Sequence, residues 1–564
     1  MKKPLPIGIE FYKQLVDRPY YYVDKTLIIK KLLDDGAAVS LFTRPRRFGK
    51  TLTLTMLKAF FEDERDGMGR RIDNSHYFQG MKIMEAGEAY TRRMGQYPAI
   101  FLSLKSAKQP DFSMAYESLV DEITREYVRH RYILASDVLP AEYRIRYEAV
   151  MNRQADRVGL AKSLAFLSEC LRLWHKNKAV ILIDEYDVPL ENAFFRGFYP
   201  QMTDFIRSFL ESALKTNENL VFAVITGCLR ISKESIFTGL NNLKINTVLS
   251  SGFGEYFGFL PAEVKDMAKF YGLDSHMEEI RQWYDGYRFG LAEVYNPWSV
   301  INYISQAVNA DSLPRPYWSN TSSNDSVRHL IEQSDASVKS ELESLLAGGT
   351  LEKPIHEDIT YEDIYKTQDN LWNFLFFTGY LKMTGQSLKG NTIYVSLTLP
   401  NEEVRYIYEN TIQEWFEQKV KQTDLTALYE ALKEGRASDL SERISEQLAE
   451  TISYFDYAEN YYHGFLSGLL KGCPGMAVFS NRESGNGRPD LLLKTPSVRG
   501  MAILIEIKTV KNFDRMADGC TQALAQIEAQ NYEQSLRQEG YHKILKYGIC
   551  FYRKECLAKI SHTE

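Results

Sequence analysis

At 564 residues the chain is too long for one hydrophobic core, because single cores stop growing near about 250–300 residues, so two or three domains are expected. Hydrophobic residues make up 44% and charged residues 25%, the balance of an ordinary globular protein. The formal net charge of −6 argues against a coat of basic surface for non-specific nucleic-acid binding, though it leaves room for a local basic groove.

The six cysteines are scattered with no CxxC pair, which weakens both a disulfide framework and a zinc site. The N-terminal stretch MKKPLPIGIEFYKQL has no apolar signal region, and no run of about 18 apolar residues follows anywhere. No membrane span and a cytoplasmic location are therefore expected.

In chain order, Asp24-Lys25-Thr26 is placed to cap the helix LIIKKLL. Residues 38–42 read as a short buried strand that runs into an arginine-rich loop, and TLTLTMLKAFFE after it has apolar residues at helical spacing. Residues 62–97 read as a polar insertion. Residues 97–104, 178–183 and 220–227 are further apolar strands, with a mostly helical stretch at 112–175 between the first two. Continuous apolar strands separated by helices indicate a parallel sheet covered on both faces. Residues 255–400 alternate helices with the aromatic motifs WYDGYRF, YNPWS and FFTGYL, and read as a helical lid or winged-helix region. A charged helical linker is expected at 401–455. From 456 the reading is a separate α/β module: a helix at 459–470, strands at 475–480, 489–494 and 501–508, a helix at 515–538 and a last strand at 546–552. The expected domains are thus 1–254, 255–400, 401–455 and 456–564.

The loop Arg44-Pro45-Arg46-Arg47-Phe48-Gly49-Lys50-Thr51 has the parts of a phosphate-binding loop. Gly49 lets backbone approach an anion, Lys50 supplies charge, and Thr51 offers a hydroxyl for magnesium. Arg44 stands where the GxxxxGK[ST] pattern has its first glycine, so the strict pattern is not met. The strand before and the helix after supply the required context. Ile181-Leu182-Ile183-Asp184-Glu185 ends a buried strand in two acids at the edge where ligands bind. Asp184 would hold Mg²⁺ and Glu185 would polarise the attacking water. Asp187 reads as a turn residue. Thr226 and Arg230, after the next strand, could contact the terminal phosphate.

RPRRFGKT, VILIDEYDVPL, VITGCLRISKESIFTGLNNL, WYDGY and YNPWS together resemble the AAA-ATPase-like family, over roughly residues 4–400. The resemblance implies ATP binding, with Arg46, Arg47, Phe48, Gly49, Lys50, Thr51, Asp184, Thr226 and Arg230 at the nucleotide. It also implies an AAA-like core, a bacterial origin, and a C-terminal nuclease-like domain.

In that C-terminal module, Glu506 and Lys508 are two apart on one strand and share a face. Asp490 opens the preceding strand, which can form a hairpin with this one. Two carboxylates and a lysine would converge, to hold Mg²⁺ and orient a water beside a scissile phosphate. RPD-x15-EIK, with the helix ENYYHGFLSGLL before it and QALAQI after it, resembles the PD-(D/E)xK nuclease fold. That resemblance makes Glu459 an added metal ligand beside Asp490 and Glu506. It makes Gln522 or Gln526 an orienting group. His463 reads as a packing residue. Basic residues including Arg482, Arg488, Lys494, Lys546 and Lys554 could track a phosphate backbone.

The expected whole is a P-loop ATPase with a Mg²⁺-dependent nuclease domain acting on nucleic acid, DNA before RNA, with a role in defence or mobile-element biology and with homo-oligomerisation open. The alternatives are a signalling switch whose last domain binds without cleaving, and an ATP-dependent nucleic-acid remodeller.

Overall fold

The computed structural model describes residues 2–231, 236–237, 241–309, 313–318, 327–328, 336–357, 359–364, 366–450, 459–480 and 489–562. The chain divides into two compact units. One is Met1–Thr321 with Leu351–Arg405, the other Ser322–Thr350 with Tyr406–Glu564.

The first unit is built on five parallel strands: β1 (Val39–Thr43), β2 (Ala99–Ser103), β3 (Ala179–Asp184), β4 (Leu220–Gly227) and β5 (Leu243–Asn246). Their order is β2-β3-β4-β1-β5. β1 and β3 are buried throughout, as their unbroken apolar runs require when both faces of a parallel sheet are covered. β4 lies between them, with Phe42 opposite Thr226 and Ile183 opposite Ile225. This order puts the end of β4 between the arginine-rich loop and the acids that end β3. β5 was not foreseen: it has four residues, only Asn246 among them buried, and so no apolar run to detect.

One local expectation is corrected. Asp24 does not cap the helix Ile28–Asp35, whose N-cap is Leu27 without a side-chain bond. Its carboxylate instead accepts the Thr26 N–H (2.8 Å) and hydroxyl (2.6 Å) in a tight local turn, and the Lys82 N–H (2.7 Å) from the polar insertion.

Beyond residue 255 the first unit continues with helices Pro261–Tyr271, Met277–Tyr284 and Pro297–Ala307 and the hairpin β6 (Tyr287–Phe289) and β7 (Ala292–Val294). The helix Gln368–Thr378 then leads to an antiparallel sheet of β8 (Leu351–Pro354), β9 (Lys382–Lys389) and β10 (Thr392–Thr398), in the order β8-β10-β9. A helix followed by a β-hairpin is the succession of a winged element.

Glu403 is buried in this unit. Its carboxylate accepts the Ser299 hydroxyl (3.0 and 2.8 Å) and the Trp318 N–H (2.8 Å). Burial pushes its pKa up to about 8. A carboxyl whose folded pKa lies above its unfolded value stabilises the fold most below the unfolded value, near 4.3, and that stability is lost as pH rises through about 8. In thermal melts, the Glu403→Gln protein is therefore expected to lose much of the decline in stability that the unaltered protein shows between pH 5 and 8.

The second unit carries the mixed sheet β11 (Ala477–Ser480), β12 (Leu491–Lys494), β13 (Met501–Thr509), β14 (Lys543–Tyr552) and β15 (Glu555–His562), in sequential order. Only β13 and β14 pair in parallel. Leu491, Leu493, Ile503, Ile505 and Ile507 form one face. They share a core with Leu428, Leu432, Leu440, Ile444 and Leu448 of the helices Thr426–Glu434 and Ala437–Glu450, and with Leu466 of the helix Glu459–Leu470. The segment expected as a linker is thus, over these two helices, a packed layer of the second unit. Leu492, Ala502 and Leu504 form the opposite face, under Ile527, Tyr532 and Leu536. The helix expected at 515–538 is two, Met516–Ala529 and Tyr532–Glu539, broken where Asn531 turns left-handed at φ +52°.

Candidate functional site

In the first unit, β1 ends at Thr43 and the chain coils through the loop into the helix Lys50–Phe61. Arg47 (φ +70°) and Gly49 (φ +82°) are both left-handed, which tightens the loop ahead of a helix N-terminus whose first N–H groups have no partner within the helix. The Lys50 ammonium sits in the loop, donating to the carbonyls of Arg44 (2.9 Å) and Pro45 (3.0 Å), with Cys228 Sγ at 3.6 Å.

Asp184 is the hub. Its two carboxylate oxygens accept the Thr51 hydroxyl (2.6 Å) and the Thr226 hydroxyl (2.5 Å). Burial raises its pKa, and the neighbouring Glu185 adds to the rise. Thr51 from the start of the helix, and Asp184 and Thr226 from two strand ends, therefore meet beside the loop. Glu185 follows in a left-handed conformation, φ +53°, a costly one for a non-glycine residue.

The next two residues build rather than line the site. The Tyr186 hydroxyl donates to Leu229 O (2.6 Å) and accepts the Ile231 N–H (3.1 Å). Asp187 Oδ2 accepts the N–H groups of Cys228 (2.6 Å) and Leu229 (2.9 Å). Asp187 is buried, and burial pushes its pKa up to about 6. It is the turn residue the sequence suggested, held in the interior as the anchor of the segment that follows Thr226. Gly227 fits only as glycine, since a Cβ there would lie 2.6 Å from Tyr186 Cε1 and 2.8 Å from Asp187 Oδ1. Gly227→Ala is expected to cost roughly 1–3 kcal/mol through overpacking, read as a lowered melting temperature together with weakened nucleotide binding. Arg230 is half-buried, and its Nε has no hydrogen-bond partner among the described residues. It makes no bond to Lys50, Thr51 or Asp184 among those residues.

The aromatic motifs, read from sequence as a lid, pack on the loop itself. Phe48 lies edge-on to Tyr287 (4.9 Å) and Phe289 (5.1 Å). The Arg47 guanidinium stacks on Trp298 at 4.3 Å. Gly379 faces Pro45 so closely that a Cβ would come within 2.9 Å of it. Arg46 forms an ion pair with Glu191, on the helix Val188–Arg196. Sequence spacing singled out the motifs but gave no sign of this contact.

In the second unit, strand alternation puts Glu506 and Lys508 on the face of Ala502 and Leu504, beneath the helix Met516–Ala529. The Lys508 ammonium is 4.0 Å from Glu506 Oε1, and Gln526 donates to the same oxygen. Of the two glutamines considered, the structure brings Gln526 to the carboxylate and leaves Gln522 exposed. The pairing of Leu491 with Ile505 sets Asp490 level with Glu506, and Asp490 Oδ2 accepts the Ile507 N–H at 2.8 Å. His463 does more than pack, for its Nε2 lies 2.9 Å from Asp490 O and 3.1 Å from Ser480 Oγ. Tyr532, not singled out from sequence, hydrogen-bonds Gln526. Burial raises its pKa, and Glu506 raises it further.

Glu459 opens its helix, but its side chain, like Arg482 and Arg488, lies outside the described residues. Among those residues no three His, Cys, Asp or Glu side chains gather as a metal cluster, so Asp490 and Glu506 stand as a pair of carboxylates. The basic residues expected to track phosphates are in part committed elsewhere. Lys494 pairs with Glu539, Lys546 with Glu528 and Glu533, and Lys554 with Glu343. No described helix is long and apolar enough to cross a membrane.

Comparison with known proteins gives a family match for each of two stretches of the chain. Residues 6–237 match the family described as predicted AAA-ATPase, and residues 457–560 match the PD-(D/E)XK nuclease superfamily. A protein of Azotobacter chroococcum mcd 1, described as an uncharacterized protein in the vnfD 5' region, is 27% identical over 409 residues, which cover 72% of this chain and 69% of that one. The chain joins an AAA-ATPase-like domain to a C-terminal domain of the PD-(D/E)XK nuclease superfamily.

Proposed function

We propose that this protein is an ATP-controlled nuclease, in which nucleotide bound at the phosphate loop governs phosphodiester cleavage at Asp490, Glu506 and Lys508. The observation that carries the reading is the assembled second site: one carboxylate level with another across a hairpin, a lysine beside it, and a glutamine holding the buried oxygen. The substrate is nucleic acid, DNA before RNA, and the setting cytoplasmic.

Thr51, Asp184, Asp490 and Glu506 offer the hard oxygen donors that Mg²⁺ takes, which supports this reading. In the first unit, Lys50 and the loop backbone would hold the phosphates, Thr51 and Asp184 would hold Mg²⁺, and Glu185 would orient the attacking water. In the second, Asp490 and Glu506, with Glu459, would hold Mg²⁺. Bound Mg²⁺ neutralises phosphate charge and lowers the pKa of water. Gln526 fixes the Glu506 rotamer through its hydrogen bond, and Asp490 is fixed by the Ile507 N–H. Lys508, on the same face, offsets charge that develops on the phosphate.

The test uses the full-length protein on single- and double-stranded DNA and on RNA, with Mg²⁺ or Mn²⁺, each with and without ATP. Cleavage that changes with ATP is expected. An absence of cleavage under every combination, with nucleotide binding intact, would favour the binding-switch reading instead.

A further inference from the structure

Arg44 occupies the place of the loop's usual first glycine, and its side chain is wholly buried. A buried guanidinium ordinarily faces a carboxylate, as the neighbouring Arg46 does with Glu191. Arg44 has none. Its Nη1 donates to the carbonyls of Thr43 and Asn246, each at 2.8 Å. Its plane lies against Phe257 and Phe289, each with its centroid at 5.1 Å. Its Nε and Nη2 have no hydrogen-bond partner among the described residues. Among the described residues, the groups facing it thus offer a partial charge or a ring quadrupole, and none offers a full negative charge.

The backbone of Arg44 is also part of the phosphate site. Its N–H donates to Gly227 O at 3.0 Å, and its carbonyl accepts the Lys50 ammonium at 2.9 Å. A cation is therefore fixed at the loop, in a low-dielectric slot, with no anion of its own among the described residues. Burial lowers its pKa to about 9, which leaves it charged at neutral pH.

We propose that Arg44 determines affinity and specificity in the phosphate loop: its guanidinium is a fixed buried charge whose counter-anion is the polyphosphate of the nucleotide, so it favours triphosphate over diphosphate over monophosphate. This rests on the reading of the loop as a nucleotide site. A charge acting through a low-dielectric medium is felt in proportion to the charge of the ligand. A packing role, with Arg44 merely filling the slot between Phe257 and Phe289, would affect all three nucleotides alike.

The test measures dissociation constants of ATP, ADP and AMP, without divalent metal, for the unaltered protein and for Arg44→Met. The expected result is a graded loss: roughly tenfold or more for ATP, less for ADP, and little for AMP. Equal losses for the three, or none, would overturn the proposal. If the unaltered protein binds no nucleotide, the phosphate-loop reading itself fails, which is a distinct outcome.

If Arg44→Met does not fold, Arg44→Lys decides. A lysine in the same buried slot loses its proton at lower pH than an arginine, while Lys50 is common to both proteins. The preference for ATP over AMP should then fall at lower pH in Arg44→Lys than in the unaltered protein. Coincident pH profiles would overturn the proposal.

Discussion

Alanine in place of Glu506 is expected to reduce metal-dependent cleavage on the order of a hundred- to a thousandfold, the usual cost of deleting one preorganised electrostatic group at a reacting centre. Glu506 is only 2% exposed, and it engages both Gln526 and Lys508. Truncation leaves the lysine without its nearest carboxylate and the glutamine without its acceptor. A control is needed to separate chemistry from packing. Glu506→Gln keeps the shape and should melt near the unaltered protein while cleaving no better than the alanine variant. Nucleic-acid binding, followed without divalent metal, should survive both changes. If Glu506→Gln cleaves at the normal rate, the assignment of the site is wrong.

The second large effect is at Lys50. Lys50→Ala is expected to weaken ATP binding on the order of a hundredfold, from loss of about 2–3 kcal/mol of charge-assisted hydrogen bonding. The ammonium is already held at the mouth of the loop by the carbonyls of Arg44 and Pro45, so little ordering cost falls on binding. Equilibrium titration with ATP reads the change. Unchanged affinity would end the phosphate-loop assignment. If nucleotide governs the nuclease, cleavage by Lys50→Ala should also stop responding to ATP while Glu506 and Lys508 remain in place.

The sequence announced some parts of these sites more clearly than others. Four of the five parallel strands showed as apolar runs, because a strand buried on both faces must be apolar throughout. The chemistry of Asp184 and Thr226 followed from the rule that ligands meet strand ends, and that of Thr51 from the last position of the phosphate-loop pattern. Their shared hydrogen bonds depended on strand order, however, and no spacing reveals that β4 lies between β1 and β3. Glu506 and Lys508 followed from the two-residue period of a strand. Gln526 could be narrowed only to one of two glutamines on a helix, since facing depends on how that helix lies on the sheet. Asp187 sits in a turn, as the sequence suggested, but its burial was not legible there, because it depends on two backbone N–H groups supplied by the distant end of β4. The aromatic motifs were visible, but their partner was not. The contact between Phe48 and Tyr287 joins segments far apart in the chain, and one sequence carries no trace of such pairing.

That long-range shell bears on how the protein is made and how it can be cut. The phosphate loop leaves the ribosome well before Phe289, Trp298 and Gly379, which cover it. Until those residues emerge, Phe48 lacks Tyr287 and Phe289 and the buried arginine lacks one of its two rings, and loops closed late by distant contacts are slow to form. A fragment ended at residue 254 would strip away the same covering and expose an apolar and cationic patch. The second candidate site, from Asp490 to Tyr532, is by contrast drawn from one short stretch of chain. The proposed nuclease site is thus complete soon after its own residues are synthesised, whereas the proposed nucleotide site must wait for more than a hundred residues beyond its own last strand.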